Sequence, residues 1–412
     1  MGIIQEAQTM MDFDFIRELN KHEDTKIILL VMDGLGGLPI QPGGPTELEK
    51  ARTPNFDDLA RHGLCGLHVP VRPGITPGSG PSHLGLFGYD PLRYQVGRGV
   101  LSALGIDFDL RNSDVAARGN FCSIDENGLV TDRRAGRIPT EKNRELCALL
   151  RDIELPGVEL FVETVKEHRI VLVLRGEDLE ADIADTDPEE VGVKPLEPEA
   201  LTTESRKTAD LVKNFLKQAG TILAGHHPAN MLLLRGFAKK PDWPSFEQIY
   251  GLRAAAIAGY PMYRGVAKLV GMEALQAVDG VEREFQVVRD RWRDFDFFYV
   301  HVKHTDSAGE DGDFERKVSL IEEVDRQIPS LIELEPDVLI VTGDHSTPAL
   351  LKHHSWHPVP TLLWSKHYCR QDNVEQFGER ACMQGGLGPR FPATDLLPLA
   401  MANALRLEKF GA

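Results

Sequence analysis

Three stretches of the chain run without polar interruption and then stop at an acidic residue or an imidazole. "TKIILLVMDGLGG" ends at Asp33 and glycines, "FDFFYVHVKHTDSAGEDGD" runs through Phe297 to Val302 and on to Asp306, and "PDVLIVTGDHSTP" leads into Asp344 and His345. Apolar runs that lack alternation predict strands buried on both faces. Between the last two, "FERKVSLIEEVDRQIPSLIEL" places apolar residues at helical spacing. Strand, helix and strand with short connections predict a right-handed parallel crossover. The polar residues then sit at the C-terminal ends of at least three parallel strands, the edge where open α/β sheets carry their active sites.

The middle of the chain reads differently. From about Asn112 to Arg235 it carries short alternating stretches, "DVAARGNFCSID" and "HRIVLVLRGEDL", separated by charged turns and followed by the helix-like "ESRKTADLVKNFLKQAG". This segment interrupts the first pattern. It predicts a smaller α+β domain over residues 112–235, inserted into a core of residues 1–111 and 236–412. A chain of 412 residues suits two domains.

"GITPGSGPSHLGLFGYDP" breaks both patterns. It sets Ser79 and Ser82 among glycines and prolines, and a helix-like apolar run begins only at Leu84. The stretch fits a surface turn, a presented nucleophile or a phosphate cradle equally well. Ser82 and His83 read as turn and helix-start residues.

Composition narrows the partners. Apolar content of 42% with 26% charged residues is that of an ordinary soluble protein. A net charge of −17 opposes binding to nucleic acid, whose phosphates it would repel. Five widely spaced cysteines with no CxxC give no disulfide framework. The opening "MGIIQEAQTMMDFDFIRELNKHEDTK" lacks the form of a signal peptide, and no run reaches membrane-spanning length, so the expected compartment is the cytoplasm.

The candidate chemistry gathers in Asp33, Ser79, Asp306, Glu310, Asp344, His345, His353, His354 and His357. Carboxylates suit hard divalent cations, and imidazole adds affinity for manganese, zinc or cobalt. A set this large can hold two ions, the arrangement that clamps attacking and leaving oxygens in phosphoryl transfer. Next to such an ion, Ser79 becomes a nucleophile near neutral pH. "HHSWHP" also fits a solvated loop, with His353 exposed or in support.

The order Asp, Ser, Asp-x-x-x-Glu, Asp-His, His resembles the alkaline phosphatase superfamily. Within it the chain is similar to the archaeal-type cofactor-independent phosphoglycerate mutases, which bacteria also carry. The resemblance rests on "VMDGLGG", "ARTPNFDDLARHG", "PGSGPSHLGLFGYDP", "GRGVLSALG", "DRRAGRI", "DTDP", "VTGDHSTP" and "HSWHPVP", which span most of the chain.

The resemblance implies an alkaline-phosphatase-like core, with a mostly parallel sheet flanked by helices, and a lid domain. It implies one ion held by Asp33, Ser79, Asp344 and His345, and a second held by Asp306, His354 and the residue four after Asp306. Relatives often carry histidine there within "DxxGH"; here "DSAGE" supplies Glu310, which favours manganese or magnesium, with zinc or cobalt as alternatives. Where relatives often read "GSDTAH", this chain has "GSGPSH", with the Ser79–His83 spacing kept. Arg118, Arg134, Arg137 and Arg235, and more weakly Arg264, are implied to hold the substrate's carboxylate and phosphate.

The implied reaction interconverts 3- and 2-phosphoglycerate through a phosphoserine, with no added bisphosphoglycerate. The alternatives are a phosphomonoesterase or phosphonate hydrolase of the same superfamily, or a non-catalytic homologue. The oligomeric state is open.

Overall fold

The computed structural model describes residues 13–275 and 280–411. The opening segment, expected to lack a signal peptide, therefore lies up to residue 12 outside the described residues. The chain forms two compact units, one comprising the chain through Gln95 and again from Pro244 on, the other Val96–Trp243.

The first unit contributes β1 (Ile27–Met32) and β2 (Leu64–Val69) before the second begins. The second contains β3 (Val115–Ile124), β4 (Val130–Asp132), β5 (Glu159–Lys166), β6 (Arg169–Arg175) and β7 (Met231–Ala238). The first then resumes with β8 (Ala254–Ala258), β9 (Glu273–Ala274), β10 (Phe297–Val302), β11 (Val338–Thr342), β12 (Val359–Ser365) and β13 (Gly388–Pro392).

Its eight strands lie in the order β13-β2-β12-β11-β1-β10-β8-β9. β1 sits between β10 and β11 and runs parallel to both, pairing Ile27 with Phe297 and with Val338. All three strands are fully buried, which is why each reads as an unbroken apolar run. β12 is antiparallel to β11 and to β2, so the sheet is mixed, with a parallel centre. The crossover expected between β10 and β11 passes over β1, and its helix is Phe314–Ile332. Ile28, Leu30, Val300, Ile321, Leu339 and Val341 form the centre of one apolar core.

The second unit is an antiparallel sheet ordered β4-β3-β6-β5, with β7 added beside β3. Helix Arg206–Leu223 covers it, and Phe121, Leu172, Phe215 and Leu234 meet in its core. The compact unit is wider than residues 112–235. Helix Arg98–Gly105 packs on β3 and β7, and a boundary at 235/236 would cut β7 in two. The change of hydrophobic pattern marks the first strand of this unit, and the helix ahead of it carries no such mark.

A second difference concerns Ser79. The helix begins at Ser79 and runs to Leu86, with Gly78 as its N-cap, rather than starting at Leu84. Pro81 falls in the first turn, where a helix has no intrahelical use for the missing N–H. Ser82 is interior, its hydroxyl donating to the Gly78 carbonyl at 2.9 Å.

Candidate active site

Asp33 is the first residue after β1, and Asp344 and His345 follow β11. Asp306 lies in the first turn of helix His304–Asp311, directly after β10. Three adjacent strands therefore deliver these groups to one edge, and all four residues are buried. The chain needs glycine at 34, where φ is +66° and a Cβ would lie 2.6 Å from the Thr347 hydroxyl.

Two clusters of potential ligand atoms result, Asp33–Asp344–His345 and Asp306–His345–His354, each with its atoms within 4.8 Å of one another. The hydrogen bonds around them fix which atoms face inward. The Thr347 hydroxyl donates its one proton to Asp306 Oδ1 at 2.7 Å, so toward His345 Nδ1, at 3.0 Å, it can only accept. His345 therefore carries its proton on Nδ1 and turns a bare Nε2 toward Asp33 Oδ1 at 3.4 Å and Asp344 Oδ2 at 3.2 Å.

Those two carboxylate oxygens are buried and accept no hydrogen bond. His354 repeats the arrangement. Its Nδ1 donates to the Pro77 carbonyl at 3.0 Å, leaving Nε2 to face Asp306 Oδ1 at 3.7 Å. Carboxylate oxygens and imidazole nitrogens converging in this way fit a divalent cation, and the donor set of carboxylates and neutral imidazoles is one that such ions accept.

The charges are arranged to match. Burial pushes the Asp33 carboxyl up, but the Lys303 ammonium, followed by His301, holds it well below the usual range. Its Oδ2 accepts from Tyr263 and lies 3.0 Å from the Lys303 ammonium, which also pairs with Asp306. Burial, followed by the charges of Asp33 and Asp306, raises Asp344. Burial keeps His345 neutral, lowering it well below its ordinary value. Two acids this close share their ionisation unevenly unless further positive charge enters.

Ser79 Oγ lies 3.3 Å from His345 Nε2, beside the first cluster. As the first helical residue it has no intrahelical partner for its N–H, nor does Gly80. Those two amides and the helix dipole favour an anion at this point.

His83, one turn on, is fully buried and donates from Nδ1 to the Ser79 carbonyl at 2.7 Å, with Asp344 Oδ2 at 3.4 Å. It supports the turn that carries Ser79 rather than merely starting a helix. His301 and Tyr263 stack at 3.7 Å beneath Asp33. Sequence reasoning passed over His83, His301, Tyr263, Lys303 and Thr347. Of these His301 and Lys303 left a signal as polar residues at the end of an apolar strand, and His83 left one in its kept spacing from Ser79.

The remaining candidates divide. Glu310 follows Asp306 by one helical turn and is exposed, outside both clusters. Its carboxyl is nevertheless held above the ordinary range, by partial loss of water first and by the Asp306 charge second. His353 is exposed, and His357 turns to the Ser355 hydroxyl at 3.0 Å.

Arg264 is buried in the first unit, donating to the Leu275 carbonyl. In the second unit Arg118 on β3 stands opposite Arg235 on β7. Arg235 pairs with Glu189 at 2.7 Å and Asp187 at 3.6 Å, and Asp187 also receives both ends of Arg133. His168 is pulled down to about 3, by burial and then by Arg169, Arg118, Arg134 and Arg137. The charges of these four guanidiniums thus add to burial in keeping the imidazole neutral.

A mixed α/β core with two candidate ligand clusters at one strand edge, and a serine hydroxyl beside them, has the parts of a metal-assisted group-transfer enzyme. The family model described as 2,3-bisphosphoglycerate-independent phosphoglycerate mutase matches residues 60–230. A relative from Aquifex aeolicus named "Probable 2,3-bisphosphoglycerate-independent phosphoglycerate mutase" is 48% identical, covering 97% of this chain and 100% of its own length. One of the same name from Thermus thermophilus is 49% identical, over 97% and 99%. Among solved structures, a Pyrococcus horikoshii protein superposes with a TM-score of 0.81 at 32% identity, over 94% of this chain and 99% of that one. The cofactor-independent phosphoglycerate mutase of Thermoplasma acidophilum gives 0.69 at 29%, over 92% and 100%. The chain belongs to the 2,3-bisphosphoglycerate-independent phosphoglycerate mutase family, isomerases that act by intramolecular phosphoryl transfer.

Proposed function

We propose that this protein interconverts 3-phosphoglycerate and 2-phosphoglycerate at the Ser79 edge of the first unit, through a phosphoserine and without bisphosphoglycerate. The observation that supports the reading is the set of buried carboxylate and imidazole ligand atoms converging beside Ser79 Oγ. Two divalent ions suit that set. Asp33, Ser79, Asp344 and His345 would hold one, and Asp306, His354 and Glu310 the other, the carboxylate at 310 favouring manganese or magnesium. When bound, such ions neutralise phosphate charge and lower the pKa of the serine hydroxyl.

The residues of the chain supply the rest. Ser79 gives up its proton, and its oxygen bonds to phosphorus as the bond to the glycerate oxygen breaks and that oxygen takes up a proton. The amides of Ser79 and Gly80 favour the anionic group during transfer. The glycerate then presents its other hydroxyl, and the transfer runs in reverse. Arg118, Arg134, Arg137 and Arg235 hold the carboxylate and phosphate bidentately, keeping the glycerate bound between the two transfers. Arg264, already committed to Leu275, is the weakest contact of the set. Water must be excluded while the phosphoserine exists, since hydrolysis would release phosphate.

The test is an enolase-coupled assay on 3-phosphoglycerate with manganese and no bisphosphoglycerate, run beside release of free phosphate. Coupled turnover without phosphate release is expected. Phosphate release without coupled turnover would make the protein a hydrolase.

A further inference from the structure

Helix Phe314–Ile332 buries Val318, Ile321 and Val324 against the sheet, and among them it buries Lys317 completely. A lysine with no exposure is rare and requires partners. Its ammonium donates to the Gly36 carbonyl at 3.1 Å and the Thr347 carbonyl at 2.9 Å, with Glu47 Oε1 at 3.8 Å. Glu47, equally buried, opens the short helix Glu47–Lys50. Its Oε2 accepts from the Leu38 amide at 3.1 Å and its Oε1 from the Ala349 amide at 2.7 Å.

The pattern is symmetrical. Each of two loops gives a carbonyl to the lysine and, two residues later, an amide to the glutamate. One loop follows Asp33, and the other follows His345. They also bond directly, the Thr347 amide lying 3.2 Å from the Gly34 carbonyl and 3.1 Å from that of Gly36. The first loop is shaped around the carboxylate, because a Cβ at Gly37 would lie 1.9 Å from Glu47 Oε2. Thr347 in turn orients Asp306 and His345 through its hydroxyl.

We propose that Lys317 and Glu47 are positioning residues of the metal centre, a buried ion pair that sets the spacing between the Asp33 loop and the His345–Thr347 loop and thereby the affinity for the ions. Neither residue touches ion or substrate. The proposal rests on the reading of the two clusters as metal sites. Removing one partner strands a buried charge as well as releasing both loops, whereas replacing both with apolar groups removes the stranded charge alone.

The experiment measures Mn2+ binding to metal-stripped protein by electron paramagnetic resonance of the free ion, together with the thermal unfolding midpoint and kcat and KM for 3-phosphoglycerate. The variants are Lys317→Met, Glu47→Gln and the double Lys317→Met/Glu47→Leu. Each single variant should weaken Mn2+ binding by roughly tenfold or more and lower kcat, with KM within about twofold at saturating Mn2+. The double variant should regain unfolding midpoint over Lys317→Met but not metal affinity. A double variant, or a folded Glu47→Gln, that binds Mn2+ as tightly as wild type would overturn the proposal. Binding is read without substrate, so failed mutase turnover in the wild type would count against the function alone.

Discussion

At the scale of single residues, Ser79 and Ser82 separate chemistry from structure within one turn. Ser79 Oγ faces His345, while Ser82 Oγ is spent on the Gly78 carbonyl. Ser79→Ala should lose at least about a thousandfold in kcat with its unfolding midpoint nearly unchanged, because it removes the proposed nucleophile. Ser82→Ala should keep most of the activity. A reversed outcome in the coupled assay would place the nucleophile elsewhere. Glu379 offers a test of a different kind. Its carboxylate accepts from the Gly37 amide at 2.8 Å and from the Thr46 hydroxyl, and burial raises it from 4.5 to about 7. A carboxyl raised on folding adds stability that is fully present below pH 4.5 and is lost as the pH climbs through about 7. Glu379→Gln cannot ionise. Relative to wild type it should therefore gain stability between pH 5 and pH 8, up to ~3 kcal/mol by the usual conversion. Urea unfolding at the two pH values measures the difference, and a gap that does not change with pH would refute the assignment.

Among secondary-structure elements, helix His304–Asp311 carries the glutamate that stands where the resemblance leads one to expect a histidine. It presents Asp306 and Glu310 one turn apart. Glu310→His should still bind metal and shift preference toward zinc or cobalt, and Glu310→Ala should weaken metal binding by at least roughly tenfold. Equal metal affinity in wild type and Glu310→Ala would show that Glu310 is no ligand. The strands that deliver Asp33, Asp306, Asp344 and His345 were legible because burial on both faces leaves no alternation, and a polar residue at the end of such a run stands out. The helix at Ser79 was not legible, since Gly80 and Pro81 suppress helical character that the capping position permits. Nor was the support beneath the site. Tyr263, Thr347, His83 and Lys317 come from separate helices and loops, and each looks ordinary until a fold brings it against a ligand. Lys317 in particular sits beside the exposed Glu315 and Arg316, so its neighbours mark it as one more surface lysine.

For the whole molecule, the arginines of the second unit make their own demand on the chemistry. Arg235 is held by Asp187 and Glu189 opposite Arg118. Arg235→Ala should raise KM and lower kcat, costing on the order of tenfold to a hundredfold in kcat/KM, the loss expected for hydrogen bonds to a charged group. Unchanged kinetics would remove Arg235 from the substrate's contacts. Among the described residues no helix is long and apolar enough to cross a membrane. The interruption of the first unit by the second also imposes an order in time. During synthesis β1 leaves the ribosome early, while β10 and β11, which flank it, are encoded only after the whole second unit. Strands β3 to β7 are contiguous and can assemble as soon as they appear. The apolar run Ile27–Met32 must instead wait, unpaired, for Phe297 and Val338 to emerge. Nascent chains of this protein therefore carry a wholly apolar strand without its partners for most of translation, a state open to aggregation until the edge that bears Asp33 can close.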